Sequence, residues 1–223
     1  MIHGLTMKEF VEEEKTKLGE MTKEEKKEYF KDYYLKNVII AGIILVLLIW
    51  LMVDIGLNMR HSVVTGGVVN LELSNEGSAF LKEDYMKYLK LGSMTNKVDL
   101  APDIFLDKEE PQSYTLFQAE LATNTYNYLI TDETGLGFVA GIECLADLDK
   151  TLEGELSQMV SDKKVYRKLG ESETEIAAAI DITDTAFTKN YVKSGDKVYY
   201  IISGDAEDYD SAINMLKYIL EKK

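Results

Sequence analysis

The sequence predicts an α/β protein: a single N-terminal transmembrane helix, then a mainly parallel or mixed sheet with helices on both faces. Three observations predict it. Val38 to Val53 (VIIAGIILVLLIWLMV) runs for sixteen residues without a charge, a polar side chain or a proline. Beyond it, short runs rich in β-branched and aromatic residues alternate with stretches of helical period. The chain after the apolar run has the length of one domain.

The apolar run sets the organisation. Leu35 and Asn37 precede it and Asp54-Ile55-Gly56-Leu57 follow it. At about 1.5 Å per residue, a helix over residues 35–57 covers the roughly 30 Å hydrocarbon core of a bilayer. A buried core helix would show polar positions at the 3.6-residue period, and this run has none. A signal peptide would start nearer the terminus and end at a small-x-small site, which Asp54 to Asn58 does not offer. No cysteine follows directly to carry a lipid. The sequence therefore predicts a charged, amphipathic cytoplasmic arm (1–34), a membrane span with the lipid bilayer as its partner (35–57), a linker (58–66) and an extracytoplasmic domain (67–223).

Orientation follows from Lys and Arg near the two ends. Lys23, Lys26, Lys27, Lys31 and Lys36 precede the span closely, whereas only Arg60 follows it closely. This bias predicts a cytoplasmic N-terminus and an extracellular C-terminal domain at the cell membrane. Tyr33 and Tyr34 on one side and Trp50 on the other suit the two interfacial belts. In the arm, Thr22 and Glu25 have the spacing of a capping box and predict a helix start. Tyr29, Phe30, Tyr33 and Tyr34 repeat at helical spacing. That face could lie along lipid headgroups, or the segment could be a charged juxtamembrane helix with no partner.

In the outer domain, Val63 to Leu73 reads as a first strand, reached through a linker to which Gly66-Gly67 lends flexibility. Ser78 to Leu91 reads as a helix. Val98 to Leu106 is a second strand whose Pro102 suits an edge or a bulge. Ser113 to Thr123 is helical and Tyr126 to Thr131 is a buried-type strand. Thr134 to Ile142 and Thr151 to Asp162 are helical. Glu175 to Ile182 and Lys197 to Ser203 are strands, and Tyr209 to Glu221 is the closing helix. Such alternation predicts a mainly parallel sheet covered on both faces.

Composition excludes several classes. The chain carries 39 Asp and Glu against 25 Lys and Arg, a net charge of −14. Most of that charge lies in the outer domain, which argues against nucleic acid and against tight contact with anionic lipid. One cysteine, Cys144, cannot form an intramolecular disulfide, and its apolar context (GIECLADL) reads as a buried small hydrophobe. An outward domain without disulfides fits a bacterium with a single membrane. The two histidines, His3 and His61, sit at the start and at the membrane exit, where neither can serve a triad inside the domain. The acidic clusters do not match the twelve-residue calcium loop. Asp205 to Asp210 instead precedes a helix, where carboxylates cap. The sequence predicts no enzyme, no cofactor and no metal.

If the sheet binds a ligand, the place is beyond the C-terminal ends of its strands. That singles out Asp132, Glu133 and Thr134 after one strand, Asp181, Thr183 and Asp184 after another, and Gly204 and Asp205 after the last. Their carboxylates and hydroxyls suit a small polar or cationic ligand. The first reading of the same residues is as structural turns.

The stretch YNYLITDETGLGFVAGIECLADLDKTL, Tyr126 to Leu152, resembles a segment of extracellular solute-binding proteins of the type 2 periplasmic-binding-protein fold. There a strand leads to an acidic turn, a short helix and a Gly-x-Leu-x-Asp-Leu-like phrase. Ala179 to Leu220 is similar to the end of such domains, where a strand near the hinge is followed by a final strand and helix. The whole layout resembles membrane-anchored proteins of clostridia-like bacteria. Asn127-Tyr128 stands where the family has Asp-Val, and about 165 residues fall well short of a two-lobed binder. The resemblance implies a periplasmic-binding-protein-like fold reduced in size. It implies a membrane-anchored ligand-binding or sensing module resembling a truncated solute-binding protein. The alternative is a non-catalytic accessory or structural subunit of an envelope or transporter complex, with a membrane-protein partner, that has lost its ligand.

Overall fold

Two Thr-x-x-Glu boxes start the helices of the N-terminal unit. Thr6 caps α1 (Met7–Glu20) and Thr22 caps α2 (Lys23–Tyr29), each with reciprocal side-chain and backbone bonds to the third residue on. A π-helical turn, Phe30–Tyr34, joins α2 to α3 (Leu35–Asn58). The computed structural model describes residues 6–107, 109–172, 174–193, 195–204, 206 and 208–222. They fall into two compact units, Met1–Met59 and Arg60–Lys223.

α1 carries little helical signal in the sequence because its apolar residues are thinly spaced. Tertiary contact supplies its support. The Glu14 carboxylate accepts from the Tyr29 hydroxyl at 3.1 Å and from the Tyr34 hydroxyl at 2.5 Å, folding α1 back on the helix that follows. Donation to Glu14, then burial, pushes the Tyr34 hydroxyl up to about 12. Two of the four arm aromatics thus turn inward, while Phe30 and Tyr33 stay exposed. In α3 every side chain from Val38 to Val53 is exposed. The helix is long and apolar enough to cross a membrane. In water, so much apolar surface would be strongly unfavourable.

The second unit begins with β1 (His61–Val69), then α4 (Asn75–Ala79), a π-helical turn and α5 (Tyr85–Tyr88). β2 (Asn96–Ile104), α6 (Pro111–Ala122), β3 (Tyr128–Thr131) and α7 (Glu133–Gly141) follow. Short helices α8 (Leu148–Thr151) and α9 (Gly154–Met159) lead to β4 (Lys164–Lys168) and β5 (Glu175–Asp181). The chain closes with α10 (Ala186–Tyr191), β6 (Tyr199–Ile202) and α11 (Tyr209–Glu221).

The strands form one six-stranded sheet in the order β2-β1-β3-β6-β5-β4. β1 pairs parallel with β2 and β3, whereas β6 runs antiparallel to both its neighbours and β4 antiparallel to β5. The sheet is therefore mixed, the second of the two arrangements that the sequence allowed, rather than mainly parallel. β4 and β5 are joined by a short connection, as antiparallel neighbours can be, whereas β5 reaches its other antiparallel neighbour β6 through α10. β4 carries a weak strand signal in the sequence because Lys164, Arg167 and Lys168 dilute it, as charges do on an edge. Pro102 lies in β2 at the opposite edge, as its missing N–H requires.

Successive residues point to opposite faces, and each face has its own core. Val68, Tyr128, Ile130 and Tyr200 pack with Phe80, Leu216 and Ile219 on one side. Val69, Leu129 and Ile201 pack with Phe117 of α6 and Leu136 of α7 on the other. Burial on both sides explains why β3 and β6 read as continuous apolar runs. The Tyr200 hydroxyl donates to the Ala212 carbonyl at 2.7 Å, tying β6 to α11.

The predicted linker 58–66 is also corrected. β1 starts at His61, and Gly66 and Gly67 lie inside it. These glycines serve close approach. A Cβ on Gly66 would stand 2.1 Å from Cζ of Tyr128, whose ring lies across the strand and stacks on Tyr200 at 5.2 Å. Tyr128 is fully buried, so the ring has nowhere to retreat. Gly66→Ala is expected to destabilise the domain by about 1–3 kcal/mol, read as a lower urea midpoint at unchanged slope.

Candidate functional site

At the ends of the parallel strands, local rules place each group before any ligand is considered. β3 ends at Thr131, and Asp132 caps α7 by accepting from the Gly135 N–H at 2.8 Å. Gly135 is required because a Cβ there would meet the Thr131 hydroxyl at 2.0 Å. Asn70, just past β1, takes a left-handed backbone with φ of 56°, which asparagine tolerates. Its amide donates to Asp132 at 3.2 Å and its carbonyl accepts from the Leu106 N–H at 2.8 Å. One side chain thus clips together the ends of β1, β2 and β3.

Glu133 takes a different set of partners. Its carboxylate accepts from the Tyr199 hydroxyl at 2.7 Å and pairs with Arg167 of β4. Desolvation pushes the Glu133 carboxyl up. The Tyr199 bond, Arg167 and Lys197 together outweigh it and hold the group below its ordinary 4.5. Burial first, then donation to Glu133, pushes the Tyr199 hydroxyl up to about 12, and the charge of Asp181 adds to the rise. Thr131 and Asp181 both pair with Tyr199 of β6, so the C-terminal ends of β3 and β5 lie at the same end of the sheet.

At the end of β5, Asp181 accepts from the Thr183 N–H at 2.9 Å, and the Thr183 hydroxyl accepts from the Val198 N–H at 3.0 Å. Asp184 is solvent-exposed and paired with Lys189 at 2.9 Å. The lysine's hydrogen bond and charge hold its carboxyl below the ordinary range. Thr134 is exposed on the first turn of α7.

Gly204 does not join them. Because β6 is antiparallel to β3, with Thr131 opposite Tyr199 and Tyr128 opposite Ile202, its C-terminal end lies at the other end of the sheet. The rule for strand ends assumed a direction that β6 does not have. Gly204 instead permits close approach to Leu145, whose backbone a Cβ would meet at 2.9 Å. Asp205 lies outside the described residues.

What remains is a shallow hollow of about 450 Å³ lined by Asp132, Glu133, Gly195, Asp196 and Lys197. Three carboxylates against one ammonium disfavour an anion, although the N-terminus of α7 opens here. The hollow suits a cation or a donor-rich polar group. Among the described residues, no three His, Cys, Asp or Glu side chains converge as a metal-ligand set. Sequence reasoning missed Asn70, Arg167 and Tyr199. Asn70 carried a faint signal, a lone polar residue between Val69 and Leu71. The other two become relevant only through the sheet order.

The Glu133 pairing carries a pH dependence of fixed sign. Its folded carboxyl sits below the unfolded one, so the stabilisation is present above the ordinary glutamate value and is lost as pH falls through the lowered one. The side chain is 57% exposed, which limits the effect to under about 1 kcal/mol. Glu133→Gln is expected to flatten the acid limb of a plot of melting temperature against pH and to leave the neutral limb parallel to wild type.

Compared with family models, curated proteins and solved structures, the chain gives no match.

Proposed function

We propose that this protein is a single-pass, membrane-anchored, non-catalytic module that holds its α/β domain outside the cell. The observation that carries the anchor is the helix Leu35–Asn58, whose run Val38 to Val53 is apolar and exposed, with five lysines closely preceding that run and one arginine closely following. The reading of the domain as a one-lobed relative of solute-binding proteins draws support from two successions. One is β3, acidic cap Asp132 and α7. The other is β5, β6 and α11 at the close.

Of the two tasks open to such a module, accessory subunit of an envelope or transporter assembly is the better supported. Asp132, Glu133, Asp181 and Thr183 are already engaged with protein partners, so a ligand at that end would have to displace internal bonds. The second reading, ligand binding or sensing, rests on the acidic hollow beside α7.

Protease added to intact cells tests the anchor and its direction. The domain should be cut away while an epitope on the N-terminal arm stays protected, and the reverse pattern refutes the orientation. A thermal-shift screen of the full chain in a neutral detergent then separates the two tasks. A ligand at 100 times its dissociation constant adds about 2.7 kcal/mol, so a surviving site at the strand ends raises the melting temperature. That rise should vanish in Glu133→Gln. A screen with no shift, alongside a membrane protein that co-purifies in fixed stoichiometry, supports the subunit.

A further inference from the structure

Helix α11 ends in a cluster of rings that the strand-end site does not use. Tyr218 is fully buried, with its ring 4.7 Å from Phe80 and 5.0 Å from Tyr88, and Tyr191 lies 5.2 Å from Phe80. Together with Asp84 and Lys87 they line a hollow of about 380 Å³. The hollow already receives a cation. The Lys222 ammonium stands 5.7 Å from the Tyr218 ring centre and 5.9 Å from that of Tyr88, within reach of both ring faces.

The rings are held in place independently of that lysine. The Tyr88 hydroxyl donates to Glu221 at 3.2 Å, and the Tyr218 hydroxyl donates to the Phe80 carbonyl at 3.3 Å. Phe80 and Tyr218 belong to the core on that face of the sheet. The Asp84 carboxylate at the rim is paired with Lys87 at 2.8 Å, and the protein's net charge of −14 draws cations.

We propose that the hollow formed by Phe80, Tyr88, Tyr191 and Tyr218 is a binding site for a quaternary ammonium group, with Lys222 as its tethered competitor. The choice of ligand follows from hydration. A primary ammonium is compact and strongly hydrated and gives up water to lie on rings. A trimethylammonium group has no N–H donors to satisfy, holds water weakly and presents methyl carbons with spread positive charge to the ring faces. It should therefore displace Lys222. The tethered side chain lowers apparent affinity by the fraction of time it occupies the site. This site is separate from the acidic hollow beside α7, and the inference stands whether or not that hollow binds anything.

The test uses the full chain in a detergent with a sugar headgroup, titrated with tetramethylammonium chloride against sodium chloride of equal ionic strength. Isothermal calorimetry should show saturable binding of tetramethylammonium alone. Lys222→Ala should tighten it several-fold. Tyr88→Ala should abolish it, whereas Tyr88→Phe, which keeps the ring face, should retain it. If neither wild type nor Lys222→Ala saturates, or if Lys222→Ala changes nothing, the proposal fails. Because choline occurs both as a free solute and as a lipid headgroup, the titration is repeated in nanodiscs. Weaker probe binding in phosphatidylcholine than in phosphatidylglycerol discs identifies the headgroup as the source. Equal binding in both, with displacement by choline chloride, identifies the free solute.

Discussion

Arginine at both Leu45 and Ile49 is expected to release the chain from membranes. Both side chains lie near the middle of α3, four residues apart on one helix face, and both are more than half exposed. On an insertion scale each arginine at a helix centre costs about 2.5–3.5 kcal/mol, and each lost Leu or Ile forfeits a further 0.3–0.6, roughly 6–8 kcal/mol for the pair. The wild-type chain should resist alkaline carbonate extraction, and the double-arginine chain should appear in the supernatant. Phenylalanine at the same two positions changes size without charge and should stay in the pellet. A double-arginine chain that also stayed there would mean that α3 is not solvated by lipid.

The second large effect is expected at the middle of the sheet. Leu129 is fully buried in β3, and its Cδ2 lies 2.8 Å from where a Cβ on Gly67 of the neighbouring strand would stand. Leu129→Ala should cost about 2–5 kcal/mol, the transfer of the lost methyls plus the cavity they leave. Gly67→Ala alone should also destabilise, by about 1–3 kcal/mol, through overpacking against Leu129 and Ile104. Combined, the two should be less harmful than their sum by about 0.5–3 kcal/mol, because the new methyl enters the space that the leucine vacated. Urea denaturation of the four chains measures this coupling. Strict additivity would mean that β1 and β3 do not meet in this register.

Much of the secondary structure was legible because its signals are local. Tyr209 to Glu221 is α11 as expected, since one apolar stripe falls within its thirteen residues and the acidic cap Asp208 directly precedes them. Pro102 located an edge strand because the missing N–H is a property of the residue itself. The Thr22 capping box needed only a four-residue window. Where the sequence misled, the deciding partner lay far along the chain. Gly66 and Gly67 suggested a flexible linker, and only the side chains of Tyr128 and Leu129, each 62 residues on, explain them as strand residues. α1 has little apolar patterning, and the partners of Glu14 lie 15 and 20 residues away. The candidate site shows the same division. Asp132 and Asp181 were recognisable as acidic residues after strands, but strand direction is not written in any one strand. The antiparallel placement of β6 moved Gly204 to the far end.

By itself, the sequence determined the apolar helix at 35–57, the charge asymmetry about it, the α/β class and most of the helices and strands. These depend on hydrophobicity, period and caps that act within a few residues. The tertiary structure alone decided the strand order, the direction of β4 and β6, and the partners that occupy Glu133 and Asp181. It also decided the meeting of Phe80, Tyr88, Tyr191 and Tyr218 around Lys222. The physical reason is that burial and ring stacking are satisfied between residues far apart in the chain, and no local window contains both sides of such a contact.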